Sequence, residues 1–292
     1  MRAALRLAFF LCAVPVACCA QDWTEIKSDH FVLSYQAAGG ESGEGIPIEE
    51  FCRDVLHKAE IYYERIALDL GYQRTSDFWT WDRRVKIRIY ADRAAFLRSG
   101  PHPDWAGGLA DYQSRTISSF AGSGEFANTI LPHEVAHLIF RDFVGFRGSV
   151  PAWLDEGVAQ WTEERKRIEV RGLVKKMYED DSLLTIEDMM RIDPAKITSK
   201  ENVYIRQTRT KTGEDGVLFL SGDTLITVYY IQSVSLVDFL IGRFGKNEFT
   251  NFCRQLRDGK RVEEALTSAY SVHLRSLEDF EKQWREYARE AS

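Results

Sequence analysis

Cysteine is scarce in this chain, and most of it sits in one place. Of five cysteines, Cys12, Cys18 and Cys19 fall near the amino terminus, leaving Cys52 and Cys253 for the rest. Two distant cysteines exclude a cysteine-built zinc knuckle and a disulfide-dense scaffold. They are either one disulfide or two buried thiols, and spacing alone does not choose. Positive charge is not in excess either. The chain has 38 Lys and Arg against 44 Asp and Glu, a formal net charge of −6, so it carries no basic footprint for nucleic acid. The one dense basic triplet, Arg165-Lys166-Arg167, follows Glu163-Glu164 and reads as a solvated helix face. Beyond the first twenty residues no stretch reads as long and apolar enough to span a bilayer, so no integral membrane segment is expected. No internal repeat is visible.

Residues 1–20 read as a secretory signal peptide. Arg2 and Arg6 precede the apolar run Leu7–Val16, and small residues at Cys18-Cys19-Ala20 lead into Gln21-Asp22. Export to the periplasm or the medium is the expectation. Anchoring through a lipid on Cys18 or Cys19 is the alternative.

The remainder divides into residues 21–165, an α+β core; 166–222, a connecting segment with an inserted loop; and 223–292, a helical part. Residues 23–35 read as one or two strands, 38–47 as a loop and Ile48 to about Leu70 as a helix closed by Gly71. Val85–Tyr90 alternates like a half-buried strand, Asp92–Leu97 suggests a short helix, and Thr116–Phe120 a strand. A helix with Pro132 in its first turn runs to about Val144. Ser149 then caps a second helix, with Pro151 in its first turn, running to about Arg165. Leu184–Ile192 suggests a short helix, and the polar stretch 197–216 a surface loop. Helices follow at 223–243, 246–257, 260–270 and 275–290. The expected plan is a small mixed sheet with active-site helices, then an α-helical C-terminal half.

The chemistry lies in His133-Glu134-Val135-Ala136-His137. Histidines at i and i+4 of a helix share a face, so both imidazoles reach one ion. Glu134, turned by about 100° from His133, borders the ion without binding it. Leu131, Val135, Leu138 and Ile139 occupy other faces and pack the helix into the core. Eighteen residues (138–155) separate His137 from Glu156, an isolated glutamate on the next helix. Two imidazoles, one carboxylate ligand and one spare carboxylate are what a catalytic zinc site needs. Asp155 reads more readily as an early-helix acid favoured by the helix dipole, the alternative being a partner that orients a ligand imidazole. His30, His57, His102 and His273 have no metal spacing.

This spacing resembles that of the gluzincin metallopeptidases. The run Trp153-Leu154-Asp155-Glu156-Gly157-Val158-Ala159 is similar to their Trp-Leu-x-Glu-Gly-x-Ala segment. Leu131-Pro132-His133-Glu134 and the helical C-terminal half resemble the small exported peptidase MA-like proteins. The resemblance spans about residues 105–165 and 225–290. It implies a zincin-like fold, one Zn2+ per chain held by His133, His137 and Glu156, and Glu134 as general base. It also implies an oxyanion-binding tyrosine on the helix that holds Tyr229 and Tyr230, with Tyr230 the better placed. The aminopeptidases of this clan carry a Gly-x-Met-Glu-Asn stretch; Gly124-Glu125-Phe126 is the nearest here and lacks Met and Asn. The Asn-Ala-x-Ala edge strand of thermolysin-like enzymes is also missing. Thr116–Phe120 is either an ordinary strand or an edge to which an extended peptide adds.

The expected function is an exported zinc endopeptidase acting on peptide or protein. The alternatives are a zinc-stabilised binding or scaffold protein without useful turnover, and hydrolysis of a non-peptide bond. Substrate and oligomeric state are not legible.

Overall fold

The computed structural model describes residues 23–36, 45–72, 79, 81–101, 106–145, 150–197 and 202–291. The expected leader 1–20, loop residues 38–44, His102 and the Ser149 cap lie outside the described residues.

A five-stranded mixed sheet comes first. Its strands are β1 (Trp23–Lys27), β2 (Phe31–Gln36), β3 (Val85–Tyr90), β4 (Gly108–Asp111) and β5 (Thr116–Phe120), in the order β1-β2-β3-β5-β4. β2, β3 and β5 run parallel, while β1 and β4 pair antiparallel at the two ends. Alternation explains the buried face: Val85, Ile87 and Ile89 are fully buried, while Lys86 and Arg88 between them are exposed. Helix α1 (Ile48–Asp69) crosses from β2 to β3 and buries Cys52, Val55, Ala59 and Ile66 at helical spacing. The short α2 (Arg93–Arg98) is capped by Asp92, whose side chain accepts from the Ala95 amide at 2.7 Å.

Two corrections concern this half. The stretch before Thr116, where no strand was expected, holds β4, four residues long and too short to show a period. β4 forms one edge of the sheet, with β1 at the other. β5 lies between β3 and β4, so Thr116–Phe120 is an interior strand and not the edge for an added peptide.

Helix α3 (Leu131–Val144) carries the two histidines. It continues from a π-helical turn, Phe126–Ile130. Pro132 has no N–H for the turn before it, and a widened turn accommodates its ring. Gly145, at φ 82°, ends the helix. Helix α4 (Ala152–Trp161) follows, with Pro151 as its N-cap residue rather than in its first turn. It stops at Trp161, not near Arg165. Thr162 and Glu163 break the chain direction before α5 (Glu164–Glu179), where no helix was expected.

The 197–216 stretch is also corrected. Its described part contains most of a hairpin, β6 (Val203–Arg209) and β7 (Asp215–Ser221), after the short α6 (Ile186–Arg191). Tyr204, Leu218 and Leu220 pack towards the core, while Val203, Ile205, Val217 and Phe219 stay exposed on the other face. Apolar residues on both faces remove the in-out alternation of a strand, and the polar run 206–216 between them reads as a loop.

Helices α7 (Gly222–Phe244), α8 (Lys246–Arg257), α9 (Val262–Ala269) and α10 (Leu277–Glu290) complete the chain within a residue or two of expectation. α7 corrects one point. It is long and apolar enough to cross a bilayer, with a mean hydropathy of 1.6 in its most apolar window, yet 72% of that window is buried inside the fold. It is packed as a core helix against α4 and α5. One core cluster runs from Phe31 to Ala291. Cys52 and Cys253 are separate buried thiols, both pushed up to about 12 by burial.

Candidate metal centre

α3 and α4 lie against each other, and α4 lies against α7. Their apolar residues fix this: Val135, Ala136, Leu138 and Ile139 of α3 and Trp153, Leu154 and Val158 of α4 are buried. What α3 leaves towards α4 is the histidine face. His133, His137 and Glu156 come together there, with a possible ligand atom of each within 4.8 Å of the others.

The imidazoles meet through Nε2, 3.2 Å apart. Glu156 Oε2 lies 3.8 Å from His137 Nε2 and 4.0 Å from His133 Nε2. Donors on a tetrahedral zinc at 2.0–2.1 Å stand about 3.3 Å apart. The three atoms thus already form an open triangle that a small contraction would fit to one ion.

Each ring is backed by a carboxylate. His137 Nδ1 donates to Asp155 Oδ1 at 2.9 Å, and His133 Nδ1 to Glu163 Oε1 at 3.2 Å. Protons held on both Nδ1 atoms leave both Nε2 lone pairs facing the same point. Two lone pairs so close repel each other unless a cation lies between them. This donor set fits zinc.

For Asp155 the orienting alternative holds beside the early-helix position. It stands in the first turn of α4 and works as the partner of His137. Its second oxygen takes Arg141 Nε at 2.9 Å and also Arg141 Nη2. Burial alone would raise the Asp155 carboxyl; the bonds from His137 and Arg141 outweigh it and hold the group below the ordinary range. Burial opposes the charge on His137 too, but Asp155, Glu156 and Glu134 together raise its pKa.

Glu134 sits beside the three ligands without joining their triangle. Burial pushes its carboxyl up, and His137, His133 and the Tyr112 hydroxyl offset only part of that. Tyr112 Oη donates to Glu134 Oε2 at 3.3 Å. Tyr112 comes from the turn between β4 and β5, and that turn is tied to α3 a second time. Arg115, in the left-handed region at φ 54°, pairs with Asp142 at 2.6 Å.

Tyr229 and Tyr230 both feel the charge of Glu156. Tyr230 is partly buried, and its hydroxyl is pushed up to about 12 by burial and then by Glu156. Tyr229 is fully buried, and its Oη has no hydrogen-bond partner among the described residues. Gly124-Glu125-Phe126 leads into the π-helical turn, where Phe126 is core and Glu125 accepts from Thr129 Oγ1 at 3.4 Å. Among the other histidines, His30 pairs with Glu60 at 2.6 Å, and His273 stacks on Phe244.

The sequence reading missed Tyr112, Arg141 and Glu163. Only Arg141 carried a local signal, being one turn beyond His137 on the same helix. No protein-family model matches the chain, and no curated protein matches it.

Proposed function

We propose that the protein is an exported, zinc-dependent metallopeptidase of zincin-like fold that hydrolyses peptide bonds within chains. The observation that carries this is the pair of Nε2 atoms facing one point, each ring backed by a carboxylate, with Glu156 as third donor. His133, His137 and Glu156 would hold the zinc. When bound, zinc supplies a Lewis acid that polarises water and the scissile carbonyl.

The protein's own groups supply the rest. Glu134 lies beside the ligands with a raised pKa, which suits a base that takes a proton from water and returns it to the leaving amine. Tyr230 is assigned to the oxyanion, as a hydroxyl near Glu156 that burial keeps protonated. An extended peptide could add at β4, the terminal strand of the sheet among the described residues, whose last residue precedes Tyr112.

Metal content and casein hydrolysis test this, with Glu134→Gln beside the wild type. The wild type should take up one zinc. The variant should retain zinc and lose turnover by about 100-fold or more, the scale of a lost general base. Equal cleavage by both would remove Glu134 from the mechanism. Zinc uptake with no cleavage of protein or peptide would favour the zinc-stabilised binding protein instead. No zinc uptake would end both.

A further inference from the structure

Arg141 stands outside the histidine motif, yet its guanidinium meets both halves of the centre. Along its edge, Nε and Nη2 donate to Oδ2 of Asp155, whose Oδ1 holds His137. Across its flat face lies the Tyr112 ring, with the guanidinium carbon 3.8 Å from the ring centroid. The Tyr112 hydroxyl in turn holds Glu134. His137 and Glu134 belong to α3, Asp155 to α4 and Tyr112 to the turn after β4. One side chain therefore joins three segments at the two groups that would do different work.

The geometry uses what is particular to arginine. A planar fork donates in its own plane and stacks out of it, so both contacts form at once. A lysine ammonium can keep the charge beside Asp155 but has no face to lay on a ring. Asp155 also divides its two oxygens between Arg141 and His137, so a turned carboxylate would disturb the imidazole. The Tyr112 ring touches His137 edge-on, with centroids 5.8 Å apart, which makes the assembly continuous.

We propose that Arg141 is the positioning residue of this centre: through Asp155 it fixes a metal ligand, and through Tyr112 it fixes the base. This rests on the metallopeptidase reading above. Two separable effects follow. The Asp155 branch sets metal affinity, and the Tyr112 branch sets turnover.

The test uses the whole protein with Arg141→Lys, Asp155→Asn and Tyr112→Phe. Zinc affinity is read by competition with a chromophoric chelator, kcat and KM on a cleaved peptide, and folding by thermal melting. Asp155→Asn should weaken zinc about 10- to 100-fold, the usual scale for the partner of a ligating histidine. Tyr112→Phe keeps the ring and loses the hydroxyl. It should bind zinc like the wild type, keep KM and lose kcat by about 10-fold or more. Arg141→Lys, with its charge kept and its melting temperature near the wild type, should show both losses. Wild-type zinc affinity and kcat in Arg141→Lys would overturn the proposal, as would Tyr112→Phe with unchanged kcat. If the wild type binds zinc but cleaves nothing, the peptidase reading fails. The affinity comparison between Arg141→Lys and wild type then still decides the Asp155 branch.

Discussion

Gly157 shows how a single residue sets the distance between two helices. A Cβ built there would lie 2.5 Å from the Ser233 carbonyl oxygen and 2.9 Å from Val237 Cγ2. The first of these is backbone of α7, which has no flexible end to move aside. Alanine has the better helix propensity by up to about 1 kcal/mol. Overpacking costs about 1–3 kcal/mol and exceeds it here. Gly157→Ala should therefore lower the urea midpoint and, because Glu156 precedes it, weaken zinc uptake as well. A variant as stable as the wild type would mean that α4 and α7 are not held this closely. His133, Glu134 and His137 were legible because helical spacing places them, and Glu156, on the next helix, through its resemblance to the gluzincin Trp-Leu-x-Glu-Gly-x-Ala segment. Tyr112 and Glu163 were not. Nothing in their own neighbourhoods distinguishes them from other tyrosines and glutamates, and they reach the site only through the β4–β5 turn and the α4–α5 break.

At the scale of elements, α7 gathers its neighbours on one carboxylate. Asp238 accepts from Trp161 of α4 at 2.9 Å, from Arg171 of α5 at 2.9 Å and from Tyr287 of α10 at 2.6 Å. Burial would raise this carboxyl; Arg171, Tyr287 and Trp161 outweigh burial and lower it. The unfolded carboxyl takes its proton near pH 4, before the folded one does. The stabilisation is thus present above that pH and lost as pH falls through the lower folded value. Asp238→Asn should cost about 1–3 kcal/mol at neutral pH, through weakened bonds to buried donors. Melting curves from pH 7 down to pH 3 should converge with those of the wild type. Parallel curves would show that Asp238 does not titrate in this way. The helices of the C-terminal half were legible because their apolar residues recur over many turns. β4 is too short for a period, and the β6–β7 hairpin hid its pattern by dividing apolar residues between two faces.

At the scale of the molecule, the candidate ligands stand on two helices that share one continuous core. His133 and His137 belong to α3, which lies against α1, while Glu156 belongs to α4, which lies against α7. An ion held by all three would tie α3 to α4, so its binding adds to folding stability. At 100 times its dissociation constant, zinc would contribute about 2.7 kcal/mol. That corresponds to a melting shift on the order of 5 °C. Calorimetry should show the loss with a chelator and its recovery on adding zinc. Glu134→Gln should keep the full shift, since Glu134 is not a ligand in this scheme. A melting temperature indifferent to zinc would contradict the bridge. By itself, the sequence determined what depends on neighbours along the chain: the helices with sustained apolar periods, and two histidines four apart on one of them. Tertiary structure alone decided which strands are edges, which carboxylate stands behind each imidazole, and that an arginine and a tyrosine join them. Those contacts depend on how strands align and helices cross, and both are settled by packing between residues far apart in sequence.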